Sequence, residues 1–135
     1  MAELIDEPRA GRDRVRVLFV EDDPSIAQMY KLKLELDGYD VEVAPDGEKA
    51  LDIAHKDPPD IIFLDIRLPK LDGFAVLEAL RTDRKTESVP VVILSNYSER
   101  QLIDRGLRLG ALEYLIKTQT TPARLSRGME TWLKE

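Results

Sequence analysis

The run from Ile61 to Gly73, Ile-Ile-Phe-Leu-Asp-Ile-Arg-Leu-Pro-Lys-Leu-Asp-Gly, constrains the fold more than any other stretch of the chain. Four apolar residues, two of them β-branched, proceed without a polar interruption and stop at a single carboxylate, Asp65. Pro69 and Gly73 then prevent further strand. A run of this kind is a strand buried on both faces. In an open parallel sheet ligands bind at the carboxyl ends of the strands, which is where Asp65 stands.

The same pattern recurs along the chain. Val15–Val20 is strongly β-forming and ends in Glu21-Asp22-Asp23-Pro24, a second acidic strand end. Pro24 suits a first helical turn, Asp23 or Asp22 can cap it, and Ile26, Met29, Tyr30, Lys33, Leu34 and Leu36 carry a helical stripe to Gly38. Asp40–Ala44 alternates as an edge strand does, and Asp46-Gly47 opens a helix that Pro58-Pro59 stops. After the strand at 60–64, a helix over 74–81 buries Phe74, Val76, Leu77 and Leu80, while Asp72-Gly73 reads as turn chemistry. Val89–Leu94 is a further strand, followed by Ser95-Asn96. Ser98 can cap a helix carrying Leu102, Ile103, Leu107 and Leu109 to Gly110. Ala111–Ile116 is the last strand, ending in Lys117, and Thr121-Pro122 starts a helix with Leu125, Met129, Trp132 and Leu133 as its core stripe. Only an exposed Trp132 would favour a homodimer or partner surface there. His55 reads as a helix-end surface residue.

Five strands alternating with five helices predict an α/β domain, a doubly wound parallel sheet with right-handed crossovers. The expected strand order is 2-1-3-4-5, the flavodoxin-like (βα)5 arrangement, in which strands one and three are neighbours. A true flavodoxin is disfavoured, since no Ser/Thr/Gly-rich phosphate loop follows the first strand. With 135 residues there is room for one domain, at 15–135, behind a mixed-charge mobile tail at 1–14.

Composition narrows the chemistry. Without cysteine there is no thiol nucleophile or thiolate metal site, and one histidine cannot build a zinc site. A formal net charge of −6 argues against direct nucleic-acid binding by the domain's overall field. No apolar stretch approaches the ~20 residues of a membrane span, and no signal peptide is evident at the N-terminus, so a cytoplasmic location is expected.

In the predicted order Glu21, Asp22, Asp65, Ser95 and Lys117 converge. Two carboxylates at ~4 Å repel by about 1 kcal/mol in water and about 4 kcal/mol at an effective dielectric near 20, so the cluster needs a counterion. All-oxygen ligands select a hard divalent cation, and few protein ligands favour magnesium over calcium. Magnesium beside a carboxylate, a lysine and a hydroxyl suits phosphoryl transfer: Asp65 as nucleophile, Asp22 as direct ligand, Glu21 through a water, Lys117 and Ser95 on the phosphoryl oxygens.

Val-Glu-Asp-Asp-Pro at 20–24, Leu-Asp-Ile-Arg-Leu-Pro at 64–69 with Asp72-Gly73, Leu-Ser-Asn at 94–96 and Gly-Ala-Leu-Glu-Tyr-Leu-Ile-Lys at 110–117 closely resemble the receiver domain of two-component response regulators. Each motif alone is common; four in this order are specific. The resemblance, which spans 15–134, implies a protein that is not an enzyme beyond its own phosphorylation and dephosphorylation. Asp65 would accept a phosphoryl group from a phosphohistidine on a sensor histidine kinase or histidine phosphotransfer protein, with Mg2+ held by Glu21, Asp22, Asp65 and the Arg67 carbonyl. Ser95 and Tyr114 would be the switch residues, and a downstream partner would read the face at 98–134. No DNA-binding or enzymatic output domain follows Glu135, so the chain reads either as a stand-alone receiver or as part of a longer protein.

Two positions depart from the family pattern. Thr118 stands where a proline usually follows the lysine, and Asn96 is larger than the usual residue after the switch hydroxyl. Arg67 and Tyr97 flank the expected site, where they would control water access. The competing readings are a haloacid-dehalogenase-like phosphatase, which wants an Asp at position 67 where Arg67 stands, and a receiver-like scaffold that binds partners without phosphorylation.

Overall fold

The computed structural model describes residues 14–134; the tail expected at 1–14 lies, apart from Arg14, outside the described residues. The elements are β1 (Arg16–Val20), α1 (Pro24–Leu36), β2 (Asp40–Ala44), α2 (Gly47–Lys56), β3 (Ile61–Leu64), α3 (Gly73–Arg81), β4 (Val91–Ser95), α4 (Arg100–Arg108), β5 (Glu113–Ile116) and α5 (Pro122–Trp132). A short 3-10 turn, Lys117–Gln119, precedes α5. The strands form one sheet in the order β2-β1-β3-β4-β5, with every adjacent pair parallel. This is the predicted topology.

Strand periodicity divides the core in two. Leu18, Val20, Ile62, Leu64, Val91 and Ile93 point to one face and pack with Ala50, Ala54, Phe74, Leu77 and Leu80 of α2 and α3. Val17, Phe19, Ile61, Phe63, Val92 and Leu94 point to the other and meet Tyr30, Leu34, Leu125, Met129 and Trp132 of α1 and α5. Aromatic contacts tie the second layer together: Phe19 stacks on Tyr30 at 5.1 Å, and Phe63 meets Trp132 edge-on at 5.7 Å. Trp132 is 2% exposed and its indole N–H donates to Glu113 Oε2 at 3.0 Å. It is a core residue, so the condition for a dimer surface there is not met.

The helix starts follow capping chemistry. Asp23 caps α1 by accepting from the Ser25 and Ile26 amides, and Asp46, Asp72 and Thr121 cap α2, α3 and α5. Gly38, at φ +98°, closes α1 in the left-handed region.

Several local expectations are corrected. Ser98 does not cap α4; Glu99 holds that position, in the extended conformation usual for an N-cap (φ −63°, ψ 133°) and without a side-chain cap bond. On α1 the buried face is Ala27, Tyr30 and Leu34, spaced i, i+3, i+7, which turns Met29 (48% exposed) and Leu36 (83% exposed) outward with Leu32. Leu107 is likewise exposed, since α4 meets the sheet through Gly106. β4 begins at Val91 rather than Val89, and β5 at Glu113 rather than Ala111, whose amide still bonds Gly106 O at the end of α4.

Truncating Trp132 to alanine should lower unfolding free energy by about 3–5 kcal/mol, read by chemical denaturation. A loss under about 1 kcal/mol would show that the second layer does not depend on it.

Candidate functional site

The sheet register builds the site. Val20 pairs with Leu64, so the next residues, Glu21 and Asp65, leave adjacent strands side by side. Their backbones stay tied to the sheet: the Glu21 amide donates to Ala44 O at 3.0 Å and the Asp65 amide to Val20 O at 3.1 Å. Ser95 pairs with Ile116 at the far edge, which puts Lys117 just beyond the sheet. Its side chain crosses back over β4 to reach the acids.

Lys117 Nζ donates to Glu21 Oε1 at 2.5 Å and to Asp65 Oδ2 at 2.8 Å. Both acids are buried, at 3% and 6% exposure, while Asp22 is exposed. Glu21, Asp22 and Asp65 each present a carboxylate oxygen within 4.8 Å of the others. Burial pushes the Glu21 carboxyl above its ordinary value of 4.5, against the opposing hydrogen bonds from Lys117 and the Asp23 amide. Burial alone would lower Lys117, but its bonds to Asp65 and Glu21 outweigh that and raise it above 10.5. Three carboxylates against one ammonium leave the cluster net negative. All its donors are hard oxygens, so the residues present fit a magnesium-sized divalent cation.

Glu21, Asp22, Asp65, Arg67, Asn96, Tyr97 and Lys117 line one cleft of about 230 Å3. The Arg67 guanidinium lies 5.2 Å from the centre of the Tyr97 ring, so two loops close over one side of it. Thr118 sits in the 3-10 turn after β5, and no peptide among the described residues is cis.

Ser95 is fully buried, and its Oγ accepts from the Tyr97 amide at 3.0 Å. Tyr114 Oη donates to the Tyr97 carbonyl at 2.7 Å, and burial raises its phenol above 10.0. Ser95 and Tyr114 are therefore linked through the main chain of Tyr97, a connection that no sequence spacing displays. Gly73 was also missed as a site residue. A Cβ there would lie 2.2 Å from Asp65 O, and a Cβ on Gly47 would lie 2.0 Å from Leu71 O. Gly73 lets the start of α3 press against the backbone of Asp65, and Gly47 lets the start of α2 press against the loop after β3. The signal was present in Asp72-Gly73 and Asp46-Gly47, but it also fits ordinary turns.

The raised Glu21 value fixes a sign. A group raised on folding contributes stability below its unfolded value and loses it as pH rises, so ionised Glu21 weakens the metal-free fold at pH 7. Metal-free Glu21→Gln should therefore melt higher than the parent near neutrality, with the gap closing as pH falls through the raised Glu21 value toward 4.5. Lys117 works in the opposite window: its contribution should persist at neutral pH and fade above 10.5. A melting series across pH that shows Glu21→Gln less stable at pH 7 would overturn the assignment.

Comparison with known proteins agrees with this geometry. The family model described as response regulator receiver domain matches residues 17–127. The DNA-binding dual master transcriptional regulator RpaA of Synechocystis sp. is 40% identical over 112 residues, covering 83% of this chain and 46% of that protein. The alkaline phosphatase synthesis transcriptional regulatory protein PhoP of Bacillus subtilis is 41% identical over 102 residues, covering 76% and 42%. The chain thus spans less than half the length of these curated relatives. Among solved structures, chemotaxis protein CheY4 of Vibrio cholerae superposes with a TM-score of 0.81 at 31% identity, over 88% of this chain and 98% of that one. A response regulator from Chloroflexus aurantiacus gives 0.84 at 30% identity, over 91% and 100%.

Proposed function

The chain belongs to the response regulator receiver domain family, and from that membership we propose that Asp65 is its phosphoacceptor and Ser95 and Tyr114 its switch. Receiver domains are signalling modules rather than metabolic enzymes. The observation that carries the reading is the buried Lys117 bridge to both Asp65 and Glu21.

An Asp65 carboxylate oxygen attacks phosphorus in a donor phosphohistidine; the P–O bond forms as the P–N bond breaks, and the imidazole leaves with the electron pair and takes up a proton. Held by Glu21, Asp22, Asp65 and the Arg67 carbonyl, magnesium would neutralise the charge on the transferring oxygens. Lys117 then exchanges its carboxylate contact for a phosphoryl oxygen, a charge-assisted bond in the same place. Ser95 donates its hydroxyl to another phosphoryl oxygen. In moving it gives up the Tyr97 amide, and because Tyr97 also holds the Tyr114 hydroxyl, the serine shift reaches the output face at 98–134.

The donor is a sensor histidine kinase or histidine phosphotransfer protein, and the receiver of the signal is a protein partner rather than nucleic acid. No helix among the described residues is long and apolar enough to cross a membrane. The phosphatase alternative gains nothing from the geometry, because position 67 holds an exposed arginine stacked on Tyr97 in place of the acid that class uses.

Incubation with magnesium and acetyl phosphate should add one phosphate by intact mass, and Asp65→Asn or a chelator should abolish it. Equal labelling of the Asn variant would sink the assignment. Opening the lid by replacing both Arg67 and Tyr97 with alanine should speed loss of the phosphoryl group by roughly tenfold, equivalent to about 1.4 kcal/mol in barrier. Unchanged dephosphorylation rates would show that the pair does not control water.

A further inference from the structure

The two ends of α4 are fastened differently. Arg81, the last residue of α3, reaches through Nη1 to the carbonyl oxygens of Thr86 at 3.4 Å, Glu87 at 3.1 Å and Val89 at 2.9 Å, and donates through Nη2 to that of Gly110 at 2.9 Å. Among the described residues no carboxylate pairs with it, so its work is done on main chain. The rigid fork brackets three segments: its own helix, the loop before β4 and the turn that ends α4. That bracket has a firm seat. Thr86 is fully buried and its hydroxyl donates to Leu80 O at 2.7 Å, which holds the loop against α3. Gly110 stands at φ +107°, and a Cβ there would lie 2.8 Å from Arg81 Nε, so glycine is what lets the turn sit over the arginine. At the other end Glu99 caps α4 without a side-chain bond, and the ion pair of Arg100, with Asp104 at 3.6 Å, joins the helix only to itself. Tyr97, which holds Ser95 and Tyr114, lies just before this looser end.

We infer that Arg81 is the pivot of α4: it pins the carboxyl end at Gly110, so that a change at the site swings the amino end through Tyr97 while the carboxyl end stays in place. The alternative motion is a slide of the whole helix over the sheet. Sliding would break the bond to Gly110 O, a charge-assisted one, or drag the buried Thr86 loop with it. Swinging keeps both. The middle of the helix permits it, because α4 meets the sheet through Gly106, which presents no side chain to Ile93 and Tyr114. The inference rests on the phosphoacceptor reading for the stimulus alone; the pin is a property of the resting chain.

Hydrogen exchange followed by NMR on the unphosphorylated protein reads the pin directly. The Leu109, Gly110 and Ala111 amides bond Arg105 O, Leu107 O and Gly106 O, and should exchange more slowly than those of Leu102 and Ile103, which both bond Glu99 O. Arg81→Lys keeps the charge but cannot fork to four carbonyls, so the first three amides should exchange roughly tenfold faster in it, relative to those of β1 and β3. Should that variant loosen the whole sheet, Gly110→Ala, which forces the turn off Arg81, tests the same bond from the other side. The chain has no cysteine, so spin labels on Glu35→Cys paired with Gln101→Cys or Arg108→Cys, all exposed positions, report the motion. Magnesium and acetyl phosphate should change the separation of labels at 35 and 101 and leave that at 35 and 108 as it was; in Arg81→Lys both should change. Equal changes at 101 and 108 in the parent, no change at either in a sample that intact mass shows to be phosphorylated, or unaltered exchange at 109–111 in both variants would overturn the inference. A sample that takes up no phosphate counts against the phosphoacceptor reading instead, and the exchange result still decides the pin.

Discussion

Everything at the top of the sheet depends on one buried ammonium between two buried carboxylates. The parallel pairing of β1 with β3 forces Glu21 and Asp65 together, and their repulsion in a poorly solvated place must be met by a cation of fixed position. Lys117 supplies it from the opposite edge. The arrangement is still unbalanced, since Asp22 adds a third carboxylate. Unsatisfied negative charge is what a divalent cation and a phosphoryl group together could use, while burial keeps the Glu21 carboxyl above its ordinary value.

The architecture was legible because its signals are long and redundant. Apolar runs that end in charged residues define both the strands and the ligand end of the sheet, and the alternation of elements leaves two common strand orders, of which 2-1-3-4-5 suits five strands. Asp65, Glu21, Asp22 and Lys117 could be placed on that basis, Arg67 came from the family resemblance, and all five are found around one cleft. Short signals misled. Ser98 has good capping chemistry, but the helix begins one residue later and Glu99 takes the position without a side-chain cap bond. Met29 and Leu36 are apolar, yet the helical period sets them opposite Ala27, Tyr30 and Leu34. The Ser95, Tyr97 and Tyr114 connection runs through a main-chain amide and carbonyl, groups that every residue carries, so no side-chain pattern could announce it.

The two core layers do different work around this site. The layer under α1 and α5 is closed by large rings, Phe19, Tyr30, Phe63 and Trp132, and holds the strands in register. On the other face α4 approaches through a glycine, and its outer side carries arginines instead of core. Packed rings lie beneath the acids, and the arginine-bearing helix lies beside Tyr114.

The long reach of Lys117 has a consequence for how the molecule is made. Glu21 and Asp65 emerge from the ribosome well before the lysine that neutralises them, and β1 to β4 can pair before β5 exists. A nascent chain at that stage holds an acidic pocket without its resident cation. Closure of the last edge strand is therefore also the step at which the two buried acids gain their ammonium, so the sheet and the site are completed together.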